Sequence, residues 1–238
     1  MTLVRNIHKN SHRGILGVES AIFLIAVMIV SAALAVVVVN MGLSTTQNTK
    51  TVSQSGLTSA GSGLQLSGIV TGTGCTSSSN GCSTPYLNAT VIPFKIVPGG
   101  NPMNLELATA SVKYSSNSKL FDNIYKGQLS ASTTYANATA AFTAAGAAGI
   151  TGFTSGVTNP VTKSLPSQTV AIVYWTVSRN TDAHLDADER VELAIAYGVD
   201  DRPTTQDRIR IEIVTPTGAT LTVERHIPDI VNTVVNLN

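Results

Sequence analysis

From Ala21 to Val39 the chain runs nineteen residues that are apolar or small, broken only by the hydroxyl of Ser31. As a helix at about 1.5 Å per residue, that run reaches roughly 28 Å, close to the hydrocarbon thickness of a bilayer. It has no polar side, so such a helix must be covered all round, by lipid or by other helices. Upstream lie Arg5, Lys9 and Arg13, with His8 and His12 and no acid. A basic end of this kind stays in the cytoplasm, which sends everything beyond Leu43 outward. One acid, Glu19, stands at the mouth of the run, and the next charge is Lys50.

A secretory signal carries a shorter apolar core and a small-residue cleavage site after it. Nothing of that kind follows here. The expected cut lies in front of the run, between Gly14 and Ile15 with Arg13 just upstream. Residues 1–14 then form a removable leader, and its loss turns a formal charge of +1 into −2. Glu19 becomes the fifth residue of the processed chain, within reach of the new amine of its own helix or of a neighbour's. Left unpaired in hydrocarbon, that carboxylate costs about 2–3 kcal/mol. The pairing therefore acts as an assembly register, and the nearby helix N-terminus also favours an anion.

Ser31, Ala32, Ala33, Ala35 and Gly42 let neighbouring helices approach closely. Past Leu43 the helix propensity falls, with several threonines and Gly56, Gly61 and Gly63. Even so, Leu43, Val52, Leu57 and Leu64 trace a thin stripe. The expectation is a helix over residues 15–62, regular to about Ala60 and held there by neighbours. A membrane anchor with a flexible stalk is the plainer alternative.

The remaining span, 63–238, reads as one outer β domain. Val191, Leu193, Ile195 and Tyr197 alternate on one face, as do Ile209, Ile211 and Ile213, with Leu221 and Val223 after them. Such alternation marks strands buried on one side. Further strands are predicted near 64–71, 86–97, 104–114 and 168–178. The last holds Trp175 and is apolar on both faces, so it is expected to be central. "TPTG" at 215–218 reads as a hairpin turn. About seven short strands between Gly, Pro and Asn turns suggest a two-sheet antiparallel sandwich. The alanine- and glycine-rich stretch 131–166 is left open among a helical turn, a hairpin and a surface loop.

Charged residues make up 12% of the chain and the net charge is +1. That balance excludes a strongly basic nucleic-acid binder. A surface so poor in ions suits acid, high salt or dense self-association. Cys75 and Cys82 lack the spacing and the second pair of a zinc site. They read as a disulfide closing a small loop, in preference to two free thiols. Asn88 and Asn137 each begin an N-A-T triplet, which is a glycosylation sequon. Asp182, Asp186 and Asp188, with Glu189 and His184, offer oxygens for a calcium ion, but without an EF-hand's glycine and closing glutamate. A solvated acidic turn accounts for them more simply, so no cofactor is expected. No G-x-S-x-G, H-E-x-x-H or P-loop motif occurs, and no enzyme is expected.

The leader ending in "HRG", the acid at the fifth processed position, the unbroken apolar helix and the closing "VNMGLSTTQ" together resemble archaellins of the crenarchaeal type. These are subunits of the archaeal flagellum (archaellum), within the type IV pilin superfamily. "RIRIEIVTPTGATLTVERHIPDIV" resembles the closing strands of the same family, and the two regions cover about a third of the chain. The resemblance implies an α+β fold: a long hydrophobic N-terminal helix, then an immunoglobulin-like antiparallel β-sandwich. It also implies cutting after Gly14 by a prepilin-type signal peptidase, transient membrane insertion, and handling by archaellum assembly machinery. Copies of the chain would then form an extracellular swimming filament with a helical core and no catalytic residues. An adhesive archaeal pilin and a plain anchored ectodomain are the alternatives. N-terminal mapping of the extracellular protein by mass spectrometry should find Ile15 first; a form retaining Met1 to Gly14 would exclude the processing step.

Overall fold

The computed structural model describes residues 12–61, 63–76, 82, 84–215 and 220–237, with side chains along the first helix from Gly17 to Gln54 and at Gly56. The chain divides into two units, Met1–Ser55 and Gly56–Asn238. Helix α1 (His12–Gly61) is 50 residues long and uninterrupted. It contains no proline to interrupt it, and its alanines and leucines offset the weaker helix propensity of its many β-branched valines and isoleucines. The thread of weak helix formers after Leu43 is helical too, to Gly61. The described helix begins before the Gly14–Ile15 bond. The leader boundary is therefore not a break in secondary structure.

The second unit contains β1 (Leu64–Leu66), β2 (Thr71–Cys75), β3 (Tyr86–Ile96), β4 (Met103–Asn104), β5 (Ser111–Ser115), β6 (Leu120–Phe121) and β7 (Tyr125–Gln128). Helix α2 (Ala138–Ala147) follows. Then come β8 (Val170–Val177), β9 (His184–Leu185), β10 (Arg190–Ala196), β11 (Arg208–Val214), β12 (Leu221–His226) and β13 (Val234–Asn236). A seven-stranded sheet runs β13-β2-β3-β10-β8-β7, with β1 also on β3. A four-stranded sheet runs β12-β11-β5-β6, and β4 pairs with β9. Every pairing among these strands is antiparallel except β7 with β8, which is parallel.

The two larger sheets share one core. Val191, Leu193, Ile195 and Tyr197 enter it from one sheet, and Ile209, Ile211, Ile213, Val112 and Tyr114 from the other. Trp175 is fully buried there, and its indole N–H donates to the Leu129 carbonyl at 3.1 Å. That bond removes the cost of an unpaired donor. The Tyr197 and Thr90 hydroxyls meet at 2.9 Å.

A second apolar cluster lies on the opposite face of the seven-stranded sheet. Ala89, Ile172, Tyr174, Ala194 and Ala196 pack there with Ala141, Phe142 and Ala145 of α2 and with Phe153. This explains why residues 168–178 are apolar on both faces. It also explains the alternation of β10: large residues fill the shared core, and alanines lie where a helix must come close.

The stretch left open by the sequence is thus α2 and its turns. Asn137 caps the helix, its Oδ1 accepting from the Ala140 N–H at 2.9 Å. Gly149 follows the helix end at φ 70°, the left-handed conformation that glycine adopts without strain. Asn159 ties the following loop back, donating to the Thr139 carbonyl and the Thr143 hydroxyl, both at 3.0 Å.

Other boundaries move as well. The strand expected at 64–71 is two strands, β1 and β2, which pair with successive parts of the same edge of β3. The one expected at 104–114 is β4 and β5, separated by turns. The "TPTG" turn falls largely outside the described residues. Phe142 is wholly buried and stacks on Phe153 with ring centroids 5.6 Å apart. Phe142→Ala should lower stability by about 3–4 kcal/mol, measured by thermal or denaturant unfolding of the full chain in detergent. Leu120→Ala, at a site 74% exposed, should change it little.

Candidate assembly surface

The largest uncovered apolar surface among the described residues belongs to α1. Gly17–Gln54 is long and apolar enough to cross a membrane, and none of it is buried. Phe23, Leu24, Met28, Ile29, Val38 and Met41 are all more than 60% exposed. At roughly 25 cal/mol per Å² of apolar surface, water is a poor environment for this helix.

The polar groups of α1 are arranged so that the helix can be covered. The Ser31 hydroxyl donates to the Val27 carbonyl at 2.7 Å. Thr45 donates to Met41, Thr46 to Gly42, Thr49 to Thr45 and Thr51 to Gln47, all at 2.8–3.0 Å. Each hydroxyl commits its donor to the carbonyl one turn back. At Gly42 an added methyl would meet nothing within 4 Å. The glycine is therefore not required by contacts within the described chain. Ala32 and Ala35 lie on the same exposed helix. Glu19 is exposed. Arg13, Gly14 and Ile15 have helical backbone, and their side chains lie outside the described residues.

In the second unit, Cys75 and Cys82 are joined by a disulfide with Cα atoms 5.9 Å apart. Arg202 rests beside it, its guanidinium 4.4 Å from the centre of the Tyr86 ring. The two sequons separate clearly. Asn88 is 8% exposed and sits in β3, opposite a register shift in β2. Its side chain is nearly covered within the sheet, which makes it the less accessible of the two sequons. Asn137 is exposed. Its capping atom is Oδ1, whereas a glycan attaches through Nδ2, so the cap and the modification are compatible.

The acidic loop also resolves. Glu189 is fully buried, accepting from the backbone N–H groups of Arg179 at 2.7 Å, Asn180 at 3.3 Å and Asp186 at 3.1 Å. Asp182 accepts from the His184 N–H, and Asp186 from the Asn180 side-chain amide. Asp188 is exposed. Among the described residues, no three such ligands converge on a cation position. The acids shape a turn instead. Burial pushes the phenols of Tyr114, Tyr125, Tyr174 and Tyr197 upward, so they remain neutral donors. The Tyr174 hydroxyl donates a hydrogen bond to the Glu192 carboxylate.

The sequence reading missed Glu189 as the knot of this turn, because burial of one acid among several is not visible in composition. It also missed α2, although "NATAAFTAAGAAG" carries an Asn cap, alanines and a closing glycine.

Fold and surface together define a helix-anchored β-domain protein whose helix requires cover from lipid or from other chains. The chain belongs to the archaeal-type flagellin family, whose sequence model matches residues 14–225. It is 40% identical over 115 residues to "Probable flagellin 1" of Aeropyrum pernix, a match covering 48% of this chain and 53% of that one. It is 31% identical over 106 residues to "Probable flagellin 2" of Archaeoglobus fulgidus, covering 44% and 51%. The chain thus spans about half the length of the curated relatives it matches.

Among solved structures, the archaeal flagellum of Methanospirillum hungatei is similar with a TM-score of 0.56 at 20% identity, over 93% of this chain and 99% of that one. Archaeal flagellin FlaB1 from Methanocaldococcus jannaschii follows at 0.51 and 13%, over 74% and 96%. These likenesses show a shared fold of long helix and β domain. The family match leaves the adhesive-pilin alternative without support. In cells that glycosylate N-x-S/T sites, peptide mapping should find the glycan on Asn137 and none on Asn88.

Proposed function

We propose that this chain is a structural, non-enzymatic subunit that polymerises through α1 into an archaellum filament used for swimming. The observation that carries this reading is the unbroken apolar helix, exposed along its whole described length, in a chain of the flagellin family. Before assembly the bilayer covers the helix. Transfer from lipid into a bundle of like helices gains little from the hydrophobic effect, since the surface is already out of water. Close packing, contacts between outer domains and the pairing of Glu19 must tip the balance.

Cutting after Gly14 by a prepilin-type peptidase supplies the switch. It removes the three basic residues that hold the chain at the cytoplasmic face. It also creates the Ile15 amine that neutralises Glu19 on the same or a neighbouring helix. Residues 15–62 then form the filament core, and 63–238 the outer domain at the cell exterior. Assembly machinery and the peptidase are the transient partners.

Deleting the gene should abolish swimming, and sheared fibres from the parent strain should contain this polypeptide beginning at Ile15. Fibres lacking it, or a deletion strain that swims, would overturn the reading. Glu19→Ala should leave the precursor in the membrane and reduce fibre yield at least about tenfold, in line with an unmet pairing worth about 2 kcal/mol.

A further inference from the structure

We infer that the Cys75–Cys82 disulfide is a redox-sensitive latch on one edge of the β unit. While it is closed, β2 and the C-terminal strand β13 stay docked; when it is reduced, that edge opens and the rest of the unit stays folded. The inference stands apart from the filament reading except in saying where the latch closes.

This edge has little side-chain hold of its own. Among the described residues, β13 ends the seven-stranded sheet and pairs only with β2, so whatever holds β2 also holds β13. The middle of β2 turns two glycines, Gly72 and Gly74, toward its neighbours. A Cβ at Gly72 would stand 2.9 Å from the Leu87 side chain, and one at Gly74 would stand 2.9 Å from the Asn232 carbonyl oxygen. Ile230, Val235 and Leu237 close over these glycines, so their burial depends on β2 staying in place. Glycine also gives up more backbone freedom on docking than any other residue. The strand is therefore fixed in the core at its two ends, by the fully buried Val70 just before it and by Cys75, 3% exposed, at its close.

Strand β3 does not share that dependence. It pairs with β10 along Ala89–Phe94. Its first residues are held separately: the Leu87 N–H donates to the Pro203 carbonyl at 3.0 Å, Tyr86 bridges to Thr204, and the Arg202 guanidinium lies on the Tyr86 ring. Cys75 stands opposite Tyr86, so the disulfide ties the loose end of β2 to chain that is already anchored. The tie spans seven positions. Cutting one of about this length raises the undocked population roughly fiftyfold.

The latch closes by thiol–disulfide exchange. The two thiols pass two electrons and two protons to a disulfide of another molecule, which leaves as two thiols. A phosphine opens it: the phosphine gives two electrons and takes oxygen from water, and the two sulfurs receive that water's protons. Cytoplasmic thiols are kept reduced. On the reading above, with this unit at the cell exterior, the edge locks only after export.

The test is hydrogen exchange of the full chain in detergent, read by mass spectrometry. Three forms are compared: as isolated, reduced with a phosphine and checked by thiol tagging, and Cys82→Ala. In the reduced and Cys82→Ala forms, peptides from β2 and β13 should exchange at least about tenfold faster. These include the Gly74 N–H, which donates to the Thr233 carbonyl at 2.8 Å, and the Leu237 N–H, which donates to the Val70 carbonyl at 2.9 Å. Peptides from β8 and β10 should keep their rates within about twofold. Unchanged exchange at β2 and β13 with the bond open would overturn the inference. Acceleration spreading through β8 and β10, or loss of the fold, would overturn it too, because the bond would then hold the whole unit. A bond that resists the phosphine leaves Cys82→Ala to decide. The filament reading is decided separately, by whether fibres contain the chain.

Discussion

An apolar helix that its own chain does not bury is the constraint from which the rest follows. Its nineteen-residue core is too greasy for water and has no polar side to offer. Within the chain there is no remedy, because the described side chains from Gly17 to Gln54 are all exposed. Cover for such a surface must come from outside the described helix. Helix packing in place of lipid gains little from hydrophobicity, so small contributions decide the outcome.

The outer unit meets a different demand. It is β-rich and closes its own core between two sheets, with α2 sealing part of the outer face of the larger one. It carries few ions, and only some of them form ion pairs. Arg208 pairs with Glu224 and Arg210 with Glu212 on the outward side of the smaller sheet. Exposed pairs of this kind contribute little to stability. The fold rests on buried aromatics such as Trp175 and Tyr197, and on turns tied by single polar side chains such as Asn159 and Glu189.

The leader boundary shows how chemistry and structure part company. Helix runs across the Gly14–Ile15 bond, and nothing in the backbone marks it. What changes there is charge: three cations on one side, and a lone acid shortly beyond.

Much of this was legible in residue order alone. Helix α1, its length and its need for cover follow from periodicity and composition, because a helix makes its backbone bonds within a few residues. The strands β10 and β11 were legible for a similar reason, their alternation being a local record of the face each turns to the shared core, and β8 was legible as a short run apolar on both faces. Tertiary structure alone decided what depends on distant partners. The parallel pairing of β7 with β8, the split of β1 from β2 along β3, and the burial of Asn88 rest on contacts far apart in the chain. So does the difference between Glu189, buried and bonded three times, and the exposed Asp188 beside it. Residue order sets what a segment prefers; which of its faces water reaches is settled only when the other segments arrive.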